Sequence, residues 1–168
     1  MVILLSSVSL FYPMLRKIPF LKILLISFSW AFSTVALIYF ENNLDFNQNY
    51  KLSVISRIFF ILGITIPFDI RDIKHDQLKI NTIPLVFGVG VAKKIALTFL
   101  VIYLCIECYL NLEIFALNFI IPASLCFLYS FFVISQLNNN NSDYYYSFWL
   151  ESCSISLLVF LIITSILL

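Results

Sequence analysis

Long apolar runs separated by short polar connections dominate the chain. The runs occupy residues 20–40, 52–68, 95–110, 114–135 and 145–168. Each is close to the length of about 20 apolar residues with which an α-helix crosses the hydrocarbon core of a bilayer. The runs are continuous and do not alternate apolar with polar positions, which favours helices over the strands of a transmembrane barrel. The pattern therefore predicts five membrane-spanning helices.

A shorter apolar run, MVILLSSVSLFY, occupies residues 1–12. Arg16 and Lys17 follow this run, whereas the basic residues of a signal peptide precede its apolar core. We therefore expect the end of a helix whose beginning is absent from the chain. The predicted fold is all-α: one polytopic transmembrane helical bundle over residues 1–168, with about five full spans, a short N-terminal apolar helix and a polar motif loop at 69–94.

The composition supports the same class. Hydrophobic residues make up 62% of the chain and charged residues 11%, whereas soluble domains average about 45–50% and about 25%. So few charges do not cover a soluble globule, and the net charge of +1 excludes a nucleic-acid binder that works by bulk electrostatics. All four cysteines lie within apolar runs, which is typical of packing residues and not of a disulfide framework. The lipid bilayer is the expected surrounding.

Basic residues concentrate in alternate connections. They cluster in the first and third connections and are Arg16, Lys17, Lys22, Arg71, Lys74, Lys79, Lys93 and Lys94. Because cytoplasmic loops carry an excess of Lys and Arg, this placement predicts a multi-pass protein of the cell inner membrane with the motif loop in the cytoplasm. Two further acidic residues, Glu107 and Glu151, fall near predicted span ends, where we expect them to reach toward the interface.

One constellation carries chemistry. Asp69, Asp72 and Asp76 stand at i, i+3 and i+7, positions that share one face of a helix. Stacked carboxylates repel one another unless a cation lies between them, and their oxygens suit Mg²⁺ bound together with substrate phosphates. Three basic residues that suit anionic oxygens surround them: Arg71, Lys74 and Lys79. The residues thus indicate Mg²⁺–diphosphate binding at a membrane surface, with a solvated juxtamembrane turn of mixed charge as the alternative.

The same stretch resembles a known motif. Residues 69–76, DIRDIKHD, are followed by Thr82-Ile83-Pro84 and by Gly88. This order resembles the second aspartate-rich motif of the UbiA superfamily of intramembrane prenyltransferases, D-x-x-D-x-x-x-D followed by threonine, an aliphatic residue, proline and glycine. Residues 12–17, YPMLRK, resemble the tyrosine–proline–basic segment before the fifth of the family's nine helices. Three predicted spans follow the motif here, as three helices follow it in the family.

The resemblance implies a function. Family members transfer a prenyl group from a prenyl diphosphate to an acceptor, often aromatic, with Mg²⁺ as cofactor. Carried over, Asp69, Asp72 and Asp76 are the expected Mg²⁺ ligands. Lys79, with Arg71 and Lys74, is expected to meet the diphosphate. No residue is assigned as catalytic, and the expected partners are the prenyl diphosphate and the bilayer.

The chain also departs from the family pattern. The family's first aspartate motif, N-D-x-x-D-x-x-x-D, is absent, and the only other aspartates are Asp45 and Asp143, each alone. We therefore interpret the chain as the C-terminal portion of such a transferase, incomplete as it stands. Three interpretations stay open: a truncated form, one partner of a second polypeptide that supplies the missing half, or a non-catalytic relative that binds isoprenoid lipid. A structural membrane protein with a charged anchoring loop is the alternative from another class.

Overall fold

A helical bundle forms from the apolar runs. The computed structural model describes residues 18, 20–73, 82–111, 117–138 and 141–167. Within these ranges it contains helices and no strand, and five helices are long and apolar enough to cross a membrane. The predicted all-α transmembrane bundle is confirmed, as expected for an integral multi-pass membrane protein. The predicted N-terminal apolar helix, residues 1–12, lies outside the described residues.

Within the described ranges, five long helices and one short helix follow one another. They are α1 (Leu21–Glu41), α2 (Gln48–Arg71), α3 (Ile83–Phe87), α4 (Val89–Asn111), α5 (Leu117–Ser135) and α6 (Tyr145–Leu167). Two of them contain π-helical segments, Phe32–Ala36 within α1 and Tyr145–Leu150 at the start of α6.

The helices extend beyond the apolar runs at polar residues. The second run was predicted over 52–68, but α2 begins at Gln48, where the Asn47 side chain accepts a hydrogen bond from the backbone N–H of Tyr50. At its other end α2 continues to Arg71. The predicted motif loop 69–94 is therefore helical at both of its ends. Hydropathy marks the part of a helix that crosses the bilayer, whereas caps decide where the helix begins and ends.

Helix α2 is the centre of the bundle. Eight consecutive residues, 60–67, are buried, so this helix is covered on every side along more than two turns. It packs most extensively on α4, next on α1, and also touches α6. The other helices each keep a broad outward face of large apolar side chains, which suits contact with lipid.

Small side chains bring α2 and α4 close together. Ala92, Ala96, Leu100 and Tyr103 form one buried face of α4, spaced by three or four residues. Opposite them lies Gly63, where an added Cβ would come within 2.9 Å of the Leu100 side chain and 3.1 Å of the Ala96 carbonyl oxygen. A glycine at this position is therefore required for the close backbone approach.

Polar contacts tie the helices together at the end of the bundle where α2 ends and α4 begins, here called the motif end. Lys93 on α4 donates from Nζ to the carbonyl oxygens of Ser135 and Leu137, at 2.9 and 2.6 Å, and so satisfies the C-terminal end of α5. The Tyr145 hydroxyl on α6 donates to the Val133 carbonyl at 2.7 Å. These bonds fix α4, α5 and α6 around the end of α2.

Candidate functional site

A cleft of about 300 Å³ opens between α1, α2 and α6. Its charged lining lies at the motif end and consists of Lys22, Asp69, Arg71, Asp72 and Glu151. Its apolar lining consists of Ile26, Trp30, Ile61, Ile64, Phe68 and Leu150. From Lys22 to Trp30 the cleft follows α1 for two turns, about 12 Å at 1.5 Å per residue. The cleft is therefore amphiphilic, charged at one end and apolar along its length.

The deepest charge in the cleft is Asp69. Its side chain is 1% exposed, and Oδ1 accepts a hydrogen bond from Lys22 Nζ at 2.9 Å. Lys22 stands in the first turn of α1, and its side chain is 20% exposed. A carboxylate this deeply buried is tolerated when a cation matches its charge. The sequence had shown Lys22 only as one basic residue of a connection, because its partner lies 47 positions further along the chain.

At the rim of the cleft, Asp72 and Arg71 form a second ion pair. Arg71 Nε donates to Asp72 Oδ1 at 2.8 Å, and the guanidinium lies 5.4 Å from the centre of the Phe68 ring. Both charged side chains are about a third exposed or less. Stacking on an aromatic face together with a carboxylate contact holds the guanidinium in one orientation.

Two of the three predicted aspartates, Asp69 and Asp72, lie within the described residues. Helix α2 ends at Arg71, so Asp69 is on the helix while Asp72 follows it as the capping residue. Both still line the same cleft, with Arg71 between them in the chain. The remaining predicted site residues, Asp76, Lys74 and Lys79, lie outside the described residues.

The second part of the motif, residues 82–88, forms the short helix α3 and its flanking residues. Thr82 precedes α3, Pro84 stands in its first turn, and Gly88 separates α3 from α4 with a φ of 82°. Proline is tolerated in the first turn of a helix because the N–H that it lacks has no partner there. Glycine adopts a positive φ without the steric cost that other residues meet. These residues shape the turn that leads the chain from the motif into α4.

Glu151 and Glu107 lie in different settings. Glu151 directly follows the π-helical segment of α6 and lines the cleft, opposite α2. Such segments alter the rotation of a helix and are frequent at functional sites. Glu107 instead accepts a hydrogen bond at Oε1 from the Ser56 hydroxyl at 2.5 Å, across α2 and α4. Ser56 is 13 residues from Asp69, about 20 Å along α2, so the Glu107 contact is separate from the cleft.

The cleft offers few side-chain donors for a metal ion. No group of three or more His, Cys, Asp or Glu side chains is gathered closely enough for a metal ion within the part of the chain that the structure describes. Mg²⁺ commonly keeps several waters and binds through one or two carboxylates plus substrate phosphates. Asp69 and Asp72 match that requirement in number and chemistry. Each of these carboxylates is in an ion pair, Asp69 with Lys22 and Asp72 with Arg71.

Comparison of the chain with models of protein families, with curated proteins and with solved structures gave no match. A functional interpretation therefore depends on the cleft and on the motif that contributes to its charged end.

Proposed function

We propose that the protein is a UbiA-like membrane prenyltransferase, which binds a prenyl diphosphate together with Mg²⁺ in the cleft and transfers the prenyl group to an acceptor, typically an aromatic one. The observation that carries this proposal is the amphiphilic cleft itself. Three carboxylates and two cations, Asp69, Asp72, Glu151, Lys22 and Arg71, stand at one end of a cleft that is otherwise largely apolar. A prenyl diphosphate has the same division between a charged head and an apolar chain.

The charged end supplies the groups that a diphosphate needs. Asp69 and Asp72 would hold a Mg²⁺ ion, which would supply charge neutralisation for diphosphate as the leaving group. Arg71 is already oriented by Asp72 and the Phe68 ring, and its guanidinium carries further N–H donors for phosphate oxygens. By resemblance to the family motif, Asp76 is proposed as a further Mg²⁺ ligand, and Lys74 and Lys79 as further diphosphate contacts.

The apolar part of the cleft supplies the second requirement. Side chains from three helices line it, including Trp30 of α1, Ile64 of α2 and Leu150 of α6. An apolar wall accommodates the prenyl chain by the hydrophobic effect. It also keeps water away from the allylic carbon when the bond to diphosphate breaks, so that the acceptor and not water captures it.

The proposal also includes the orientation of the site in the membrane and a partner polypeptide. The excess of Lys and Arg in the first and third connections supports a cytoplasmic motif end, in the cell inner membrane. The chain carries one aspartate motif where the family has two. We therefore propose a second polypeptide that supplies the first motif as the partner of this chain.

A non-catalytic isoprenoid-binding protein is the second candidate, favoured by the same single aspartate motif. Both candidates bind a prenyl diphosphate with Mg²⁺, but only the transferase releases pyrophosphate in the presence of an acceptor. A structural membrane protein with an anchoring loop does neither.

The test uses the full chain in lipid nanodiscs with radiolabelled farnesyl diphosphate. The expected result is binding that requires Mg²⁺ and is lost with EDTA. Asp72→Asn removes a charged ligand at the accessible rim and is expected to weaken binding about tenfold or more. Asp45→Asn, an exposed aspartate at the opposite end of the bundle, is the matched control and should bind as the wild type does.

Absence of Mg²⁺-dependent binding would reject the proposal, as would an unchanged affinity in the Asp72→Asn variant. Adding an aromatic acid acceptor and measuring pyrophosphate then separates the two candidates. Release above the acceptor-free rate supports the transferase. Binding without release in native membranes, where the proposed partner polypeptide is present, supports the non-catalytic protein.

A further inference from the structure

We propose that the Lys22 ammonium and a divalent cation compete for Asp69, and that the displaced ammonium binds a phosphate oxygen of the ligand. This inference rests on the proposed function and deepens it. It assigns to α1 a diphosphate-binding residue that lies outside the aspartate motif. The Asp69 carboxylate then binds the Lys22 ammonium when the metal is absent and the divalent cation when the metal is present.

The competition follows from the geometry of Asp69. Its Oδ1 is 2.9 Å from Lys22 Nζ, and the carboxylate is 1% exposed. A Mg²⁺ ion coordinated at Oδ1 would lie close to the ammonium at that distance. Two positive charges a few ångströms apart repel strongly in a poorly solvated site. Metal binding at Oδ1 therefore requires that Lys22 withdraw from this oxygen.

The cleft also gives the ammonium a destination. Lys22 lines the cleft together with Arg71 and Asp72, so its head is beside the space in which a diphosphate would be held. A lysine side chain is a compact charge with three donors on a flexible four-carbon stem, which can turn between neighbouring acceptors. Moving from a carboxylate oxygen to a phosphate oxygen keeps the ammonium paired throughout.

If Lys22 moves from Asp69 to a phosphate oxygen, its removal should change the affinities for metal and for diphosphate in opposite directions. Removing the ammonium takes away the competitor of the metal, so the affinity for metal alone should rise. The same change removes a phosphate contact, so the affinity for the diphosphate should fall. A residue that only supports the shape of the cleft would weaken both affinities together.

The experiment compares the wild type, Lys22→Met and Lys94→Met in nanodiscs. Lys94 is exposed on α4 at the same end of the bundle and is not among the residues lining the cleft, so it is the matched control. Mn²⁺ alone, followed by electron paramagnetic resonance, reports metal affinity. Farnesyl diphosphate at saturating Mg²⁺ reports head-group affinity. For Lys22→Met we expect the affinity for Mn²⁺ to rise about threefold or more. We expect the affinity for the diphosphate to fall about tenfold.

A second variant guards against loss of folding. Lys22→Gln keeps an N–H donor for Asp69 without the positive charge and is expected to show the same two opposite changes. If both affinities weaken together in the Lys22 variants, or if neither changes, the inference is wrong. The proposed function still holds in that case if the wild type binds Mn²⁺ and the diphosphate. If the wild type binds neither Mn²⁺ nor diphosphate, both the inference and the proposed function fail.

Discussion

Breaking the ion pair between Lys22 and Asp69 is expected to destabilise the protein. Lys22→Met removes the ammonium 2.9 Å from a carboxylate that is 1% exposed. Removing one partner of a buried pair costs about 3–5 kcal/mol, because the remaining charge stays in a poorly solvated place. The Lys22 side is 20% exposed, so water reaches it in part, and we expect a value near the lower end, about 3 kcal/mol. Proteins are stable by about 5–15 kcal/mol, so this is a large fraction.

The reciprocal change should cost less. Asp69→Asn leaves the ammonium of Lys22 in the first turn of α1, where a long side chain can turn its charge toward water. The double variant Lys22→Met/Asp69→Asn removes both charges and should recover about 2 kcal/mol relative to Lys22→Met alone. The assay is reversible unfolding in mixed micelles, with the free energy of unfolding measured for all four proteins of the cycle.

Two outcomes would refute this reasoning. One is a Lys22→Met variant destabilised by less than about 1 kcal/mol, which is the range of an exposed pair. The other is a double variant no more stable than Lys22→Met, which would mean that the lost methylene and ammonium contacts of Lys22, and not the charge left on Asp69, account for the cost.

Two further predictions concern packing and topology. Gly63→Leu forces a side chain against Leu100, where even a Cβ lies 2.9 Å from a side-chain carbon, and should lower the free energy of unfolding by about 1–3 kcal/mol. Gly90→Leu, on α4 with no atom within 4 Å of an added Cβ, should change it by less than about 0.5 kcal/mol, and equal effects would contradict the close approach of α2 and α4. Asp45→Cys should react with a membrane-impermeant maleimide in intact cells, whereas Asp143→Cys should react only after lysis, each judged against the wild-type background; the reverse pattern would overturn the cytoplasmic placement of the motif end.

Hydropathy was sufficient to predict the five helices, because lipid requires about 20 apolar residues for each crossing and little else. It did not predict where the helices end. The polar residues from Gln48 to Tyr50 continue α2 because Asn47 caps it, and Asp69 stays on α2 because the helix continues to Arg71. These ends depend on single side-chain and backbone hydrogen bonds, which an average over many residues does not register.

The candidate site was predictable only in part. The spacing of Asp69 and Asp72 predicted a site at the end of α2, and both residues line the cleft. The sequence could not predict that Lys22 and Glu151 line the cleft. Lys22 lies 47 positions before Asp69, and Glu151 lies far after it in the chain. Long-range contacts of this kind arise from the arrangement of helices around α2, and no local pattern encodes them.

The central place of α2 makes the protein unequally tolerant of change. An outer helix can exchange one large apolar side chain for another on its lipid-facing side with little effect. Within α2, residues 60–67 meet other helices on all sides, and the same helix carries Asp69 near its end. Sequence drift among homologous chains should therefore accumulate on the periphery, while this one segment retains its ancestral residues.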